Sequence, residues 1–224
     1  MRIGFGVPVL AILVFATPLA ADISGTVLVL QVSGRGVPGQ VPEAMPERFV
    51  LLEDGSVYVG GTGTIATARL EKGDVRDIEK NLDRVRKIPG LGSQVTFGPG
   101  DQKRRLIVRK GRALDITATG DAASAPAGLR PLASLMDDLA RFDAPALRPY
   151  RPTSYALSAR EGALPGGCRS WSFPVSLAQA LAAPQSVAAS AAERWPTGGQ
   201  PASVCAGDKR YVIALRPLLP GEKP

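Results

Sequence analysis

The chain has 224 residues, with 27 Lys and Arg against 20 Asp and Glu, a formal charge of +7, two cysteines and no histidine. Without histidine there is no Ser-His-Asp or Cys-His nucleophile system and no His-ligated zinc or haem, and two cysteines are too few for a thiolate metal centre. Any catalysis has to run on carboxylates, tyrosine, lysine or hydroxyl groups.

The chain opens as an address. Arg2 precedes an apolar run from Ile3 to Phe15, and Thr17, Pro18, Leu19, Ala20 and Ala21 lead to Asp22. A positive start, a short apolar core and small residues before a polar boundary make a signal peptide over residues 1–21, cleaved after Ala20 or Ala21. The apolar run is shorter than the ~20 residues of a spanning helix. Gly4, Gly6, Pro8 and Pro18 weaken it further as an anchor, so no permanent membrane span is expected. The alternative is an uncleaved anchor. The expected location is periplasmic or extracellular, with residues 22–224 forming one α+β domain or two sub-domains dividing near residues 143–165.

Residues 25–33 are mostly β-branched and apolar and read as a strand, followed by a Gly- and Pro-rich loop at residues 34–46. Asp54-Gly55 lies between two apolar runs within residues 48–60. This is a hairpin signal. A two-residue turn there pairs Leu52 with Val57 and Val50 with Val59, which puts these four on one face and Leu51 and Tyr58 on the other.

Val75, Ile78, Leu82, Val85 and Ile88 recur at helical spacing and predict an amphipathic helix over residues 74–88, stopped by Pro89-Gly90. Asp74, Asp77 and Glu79 near its start and Arg84, Arg86 and Lys87 near its end complement the helix dipole. A second hairpin is expected over residues 104–117, turning at Lys110-Gly111. A second helix follows over residues 129–142, with Leu129, Leu132, Leu135, Met136, Leu139 and Phe142 inward.

Beyond the Pro-rich residues 144–152, Trp171-Ser-Phe-Pro174 reads as a strand or its end. Residues 185–194 read as an Ala-rich helix with Pro184 in its first turn. Residues 210–216 form a terminal strand, joined through Gly207-Asp208 to a strand over residues 203–206. The fold expected is α+β: a mainly antiparallel sheet built of hairpins, with two or three amphipathic helices and one disulfide.

That disulfide is Cys168 with Cys205, the simplest reading of an even pair in an exported chain. The residues lie 37 positions apart, a loop whose closure is worth roughly 4 kcal/mol on the chain-entropy argument. A redox-active pair calls for C-x-x-C spacing, which is absent.

Basic residues concentrate in the second half of the chain, and most sharply in Lys103, Arg104, Arg105, Arg109, Lys110 and Arg112. On a hairpin near its turn they are candidates for binding an anionic group, such as a phosphate, an acidic glycan or a lipid headgroup. The alternative is a solvated sheet edge whose charges discourage strand addition. Nucleic acid is disfavoured, because no aromatic residues interleave as a stacking surface requires.

Other motifs carry less. Gly60-Gly-Thr-Gly-Thr64 lacks the Lys and following hydroxyl of a P-loop and the spacing of a dinucleotide fingerprint, so no cofactor is expected. Glu53 with Asp54 and Asp137 with Asp138 are the acid pairs available to a carboxylate enzyme, but they read as turn and surface acids. Trp171 and Trp195 read as buried against the disulfide or the C-terminal sheet, with a sugar platform as the alternative.

Several stretches together resemble an uncharacterised family of secreted bacterial proteins. They are Val29-Leu-Gln-Val32, the Phe49-Val-Leu-Leu-Glu-Asp-Gly55 hairpin, Trp195 with Gly198-Gly199, and the ending Arg210-Tyr-Val-Ile-Ala-Leu-Arg-Pro-Leu-Leu-Pro-Gly-Glu222. The resemblance implies export and carries no activity. Pro217 and Pro220 bracket Leu218 and Leu219, a structural feature if these leucines cover the core and a docking strip if they are exposed.

The expected function is a non-catalytic binding or interaction module without metal or cofactor, whose partner is an acidic envelope component or another secreted protein. The alternatives are a carboxylate-dependent hydrolase acting on envelope glycan, and an inhibitor or assembly partner of another secreted protein.

Overall fold

The computed structural model describes residues 25–33, 48–60, 65–197 and 200–224. The expected signal peptide and the loop at residues 34–46 lie outside them. Two sheets organise these residues. The first contains eight strands, in the order β5-β7-β6-β1-β2-β3-β4-β8: β1 (Thr26–Ser33), β2 (Phe49–Leu52), β3 (Ser56–Val59), β4 (Ala66–Arg69), β5 (Gln94–Thr96), β6 (Lys103–Val108), β7 (Leu114–Thr119) and β8 (Arg148–Pro149). The second has the order β10-β12-β13-β9-β11, with β9 (Ser154–Glu161), β10 (Arg169–Ser170), β11 (Gln185–Ala188), β12 (Pro201–Ala206) and β13 (Lys209–Pro217). The β5–β7 and β10–β12 pairs are parallel and the other described pairs antiparallel, so the class is α+β with mostly antiparallel sheets.

Both expected amphipathic helices form. In α1 (Lys72–Arg86) the residues Ile78, Leu82 and Val85 are buried, and in α2 (Arg130–Ala140) the buried residues are Leu132, Ala133, Leu135, Met136 and Leu139. Both apolar stripes lie on one face of the first sheet, against Leu28, Leu30, Phe49, Leu51, Val57, Leu106 and Ile116. The opposite face of that sheet is apolar too, carrying Val29, Val50, Ile65 and Ile107. A central strand covered on both sides explains the unbroken apolar run in β1.

The first hairpin forms one residue out of the expected register. Phe49 faces Val59, Val50 faces Tyr58 and Leu51 faces Val57. The loop is three residues, 53–55: the Gly55 N–H donates to the Leu52 carbonyl at 3.1 Å, and Gly55 takes φ +83°. The Asp54 carboxylate favours this longer turn by accepting from the Ser56 N–H at 2.9 Å and the Ser56 hydroxyl at 2.8 Å. A one-residue slip exchanges the faces of a strand. Phe49, Leu51, Val57 and Val59 therefore face the helices, and Val50, Leu52 and Tyr58 face the other way.

The later part of the chain departs further from expectation. Residues 185–188 form β11, and only α4 (Ala189–Ala192) is helical. Alanine favours a helix, but here the ladder to β9 and the burial of Val187 outweigh propensity. A further helix, α3 (Leu177–Ala182), opens with a capping box. The Ser176 hydroxyl accepts from the Gln179 N–H at 3.2 Å, and the Gln179 side chain accepts from the Ser176 N–H at 2.9 Å. The strand expected near Trp171 is confined to β10, ending before that residue. Gly207-Asp208 does turn β12 into β13, with Gly207 at φ +60° and Ala206 facing Lys209. Cys168 and Cys205 form the disulfide, Cα atoms 5.5 Å apart, beside the parallel β10–β12 pair.

The C-terminal segment links the sheets. Leu218 and Leu219 are buried, and Leu219 packs on the outer face of the first sheet with Val29, Val50, Ile65 and Ile107. The Leu218 N–H donates to Ser154 O at 3.0 Å, and the Tyr150 hydroxyl donates to Leu218 O at 3.0 Å. Glu222, whose side chain is 0% exposed, pairs with Arg216 and accepts from the Leu219 N–H at 2.8 Å. Removing one partner of a buried pair strands the other charge, so Glu222→Ala is expected to lower unfolding free energy by about 3 kcal/mol in urea melts. A loss below about 0.5 kcal/mol, the range of an ordinary surface substitution, contradicts this role.

Candidate functional site

Strand geometry divides the basic run of residues 103–112. Alternation along β6 sends Arg104 inward with Leu106 and Val108, and Arg104 is 6% exposed. Its guanidinium meets the Gly120 carbonyl at 3.5 Å and lies 3.7 Å from the Asp137 carboxylate. Lys103 is exposed. Arg105 is half-buried and grips Asp115 through two bonds, Nε–H at 2.9 Å and Nη2–H at 2.7 Å. Lys110 donates to the Glu79 carboxylate of α1 at 3.0 Å. Arg109 and Arg112 are exposed on the turn between β6 and β7. The run is therefore one face of a hairpin plus one buried charge, and not a uniform basic patch.

Arg112 borders a cleft of about 460 Å³ between this turn and the segment joining α1 to β5. The wall includes Arg86, Leu91, Ser93, Arg112, Leu114 and Asp115. Arg86 comes from the last turn of α1, where it donates to Asp83 at 2.9 Å and to the Lys110 carbonyl at 2.7 Å. Its Nε is buried without a hydrogen-bond partner among the described residues. Gly111 allows this approach. At φ +72° it avoids the strain an L side chain would meet, and a Cβ there would lie 3.1 Å from the Arg86 guanidinium.

One edge of β7 is open in this cleft. The Thr117 N–H donates to Ser93 O at 2.8 Å, and Thr119 O accepts from the Phe97 N–H at 2.8 Å, so odd-numbered residues of β7 turn their peptide groups toward β5. Strand β5 begins at Gln94, opposite Thr117. By the same alternation Asp115 turns its N–H and C=O outward at a place where, among the described residues, no strand stands beside it.

The acids do not assemble a catalytic pair in this cleft. Its wall carries the single carboxylate Asp115, whereas glycoside hydrolysis of the ordinary kind uses two. Three carboxyls are held below the usual range: Asp54 by the Ser56 N–H, Asp77 by a hydrogen bond from Lys80, and Asp115 by hydrogen bonds from Arg105. A general acid working near neutral pH needs the opposite displacement. Glu53 and Asp54 sit in the first hairpin turn; Asp137 pairs with Arg104 and Arg141, and Asp138 accepts from Ser134 at 3.4 Å.

The tryptophans are packing elements. Phe173 stacks on Trp195 at 5.0 Å and meets Trp171 edge-on at 5.1 Å, and Trp195 is 7% exposed. The Trp171 indole donates to Val175 O at 2.8 Å. Arg86 is the residue that sequence reasoning did not bring to the cleft. In the sequence it is a helix-end charge facing the dipole, and only the tertiary fold sets it against the second hairpin. Among the described residues no helix is long and apolar enough to cross a membrane.

Comparison with protein-family models, with curated proteins and with solved structures finds no match in any of the three.

The Arg105–Asp115 bond makes a pH prediction. Because the Asp115 carboxyl is depressed, its contribution to stability is complete above the ordinary carboxylate value of about 4 and is lost as pH falls through the lower folded-state value. Urea melts of wild type and Asp115→Asn should therefore differ most above about pH 5 and converge by about pH 2. A difference that persists unchanged at the acid end contradicts the assignment.

Proposed function

We propose that this protein is an exported, non-catalytic binding module that receives an acidic group of its partner in the cleft beside the second hairpin. The observation that supports the reading is Arg112, exposed and without a hydrogen bond or ion pair among the described residues, at a cleft whose one lining acid among those residues, Asp115, is already held by Arg105. An uncommitted guanidinium at the edge of a partly apolar depression favours a carboxylate or phosphate over a cation. The volume falls in the range of small-ligand sites.

The partner is an acidic envelope component or another secreted protein. Location in the periplasm or outside the cell is supported by the N-terminal sequence pattern and by the disulfide, which suits an oxidising compartment.

The test uses poly-L-glutamate as the acidic probe and the exposed Arg112 as the lever, since Arg112 makes no hydrogen bond or ion pair among the described residues. Wild-type binding should weaken as salt rises from about 50 to about 300 mM. Arg112→Glu should reduce the affinity at least about fivefold, with an unchanged melting curve. Equal affinity of variant and wild type overturns the reading.

A further inference from the structure

The open edge of β7 says how an acidic partner is held. We propose that the occupant is an extended acidic peptide that adds as a short strand to β7, in line with β5 and ahead of Gln94. This rests on the acidic-partner reading above and specifies its chemistry.

Three features of the cleft meet at one place. First, the Asp115 N–H and C=O face outward and supply one donor and one acceptor for a peptide main chain, directly preceding the pairing of β5 with β7 that begins at Gln94 and Thr117. An unpaired strand edge is the usual template for this mode of recognition, in which main-chain bonds give affinity and side chains give selectivity. Second, the wall offers apolar seats at Ile88, Leu91 and Leu114 for alternate side chains of such a strand. Third, charge complementarity selects an acidic sequence. Arg112 is exposed at the rim and makes no hydrogen bond or ion pair among the described residues, whereas the Arg86 guanidinium in the wall is engaged by Asp83 and the Lys110 carbonyl. Asp115 does not oppose this choice, because both of its oxygens are bound by Arg105.

The edge is guarded against indiscriminate strand addition. Cations along the β6–β7 turn repel basic strands and attract acidic ones, which makes the same charges both a deterrent and a selector.

The experiment compares two short acetylated peptides of alternating Val and Glu, one with a normal backbone and one N-methylated at every Val, against the full-length protein. Binding is read by titration calorimetry and by amide hydrogen exchange at Asp115. The normal peptide should bind in a salt-sensitive manner and slow exchange at Asp115 at least about tenfold, while N-methylation weakens binding about tenfold. Equal binding of both peptides with no change at Asp115 overturns strand addition and leaves the acidic-partner reading standing. Failure of both peptides to bind, under conditions where poly-L-glutamate binds, also overturns it. Failure of all three probes overturns both proposals.

Discussion

The Glu222 carboxylate organises the last turn of the chain, and the covering of the first sheet depends on it. One oxygen accepts from the Leu219 N–H and the other pairs with Arg216 at the end of β13. Together with Gly221 at φ +74°, these bonds fold the tail back so that Leu219 lies on Val29, Val50, Ile65 and Ile107. That cover, with Ile65, Tyr58 and Tyr150, closes the apolar outer face of β1, β2 and β6. Burying a leucine side chain is worth about 1.5–3 kcal/mol, comparable to the cost of desolvating the polar groups that position it. The satisfied network around Glu222 allows that gain to be kept.

A first sheet buried on both faces has a second consequence, which reaches the cleft. The middle of its interior strands is apolar, so most charge is displaced to strand ends, turns and edges. In the second hairpin the strand residues Leu106, Ile107 and Val108 are buried, while Arg109, Lys110 and Arg112 gather at the connection to β7. Strand β5 joins β7 only from Gln94 onward, which leaves the start of β7 paired with β6 on one side and without a strand on the other, among the described residues, beside those cations. The basic turn and the open edge are thus two results of the same topology. Their coincidence makes the cleft a candidate site, whereas either feature alone would be an ordinary surface detail.

Local chemistry made much of the architecture legible. The spacing of Ile78, Leu82 and Val85 and of Leu132, Met136 and Leu139 identified both long helices, because each must bury one stripe. Asp54-Gly55 identifies a hairpin, but not its register, since a two-residue and a three-residue loop both accept that pair and the Asp54 bonds to Ser56, together with packing on two apolar faces, choose between them. Residues 185–188 carry no local mark of a strand, because the pairing that makes them one is with β9, distant in the sequence. The Ser176 and Gln179 spacing was a readable helix start that the alanine-rich stretch after it obscured. The basic run was visible as composition, yet the inward turn of Arg104 follows from its position between strand neighbours, and the arrival of Arg86 follows from tertiary packing alone.

The tail makes the two sheets energetically dependent on each other, through Leu219 on one side and Arg216 and Ser154 on the other. Native-state hydrogen exchange at rising denaturant tests it most directly, following Val29 in β1 and Ile213 in β13. The account predicts that both amides converge on the same opening free energy and the same denaturant dependence, as a shared cooperative unfolding requires. Two separate exchange isotherms, with one sheet opening while the other stays protected, would contradict it.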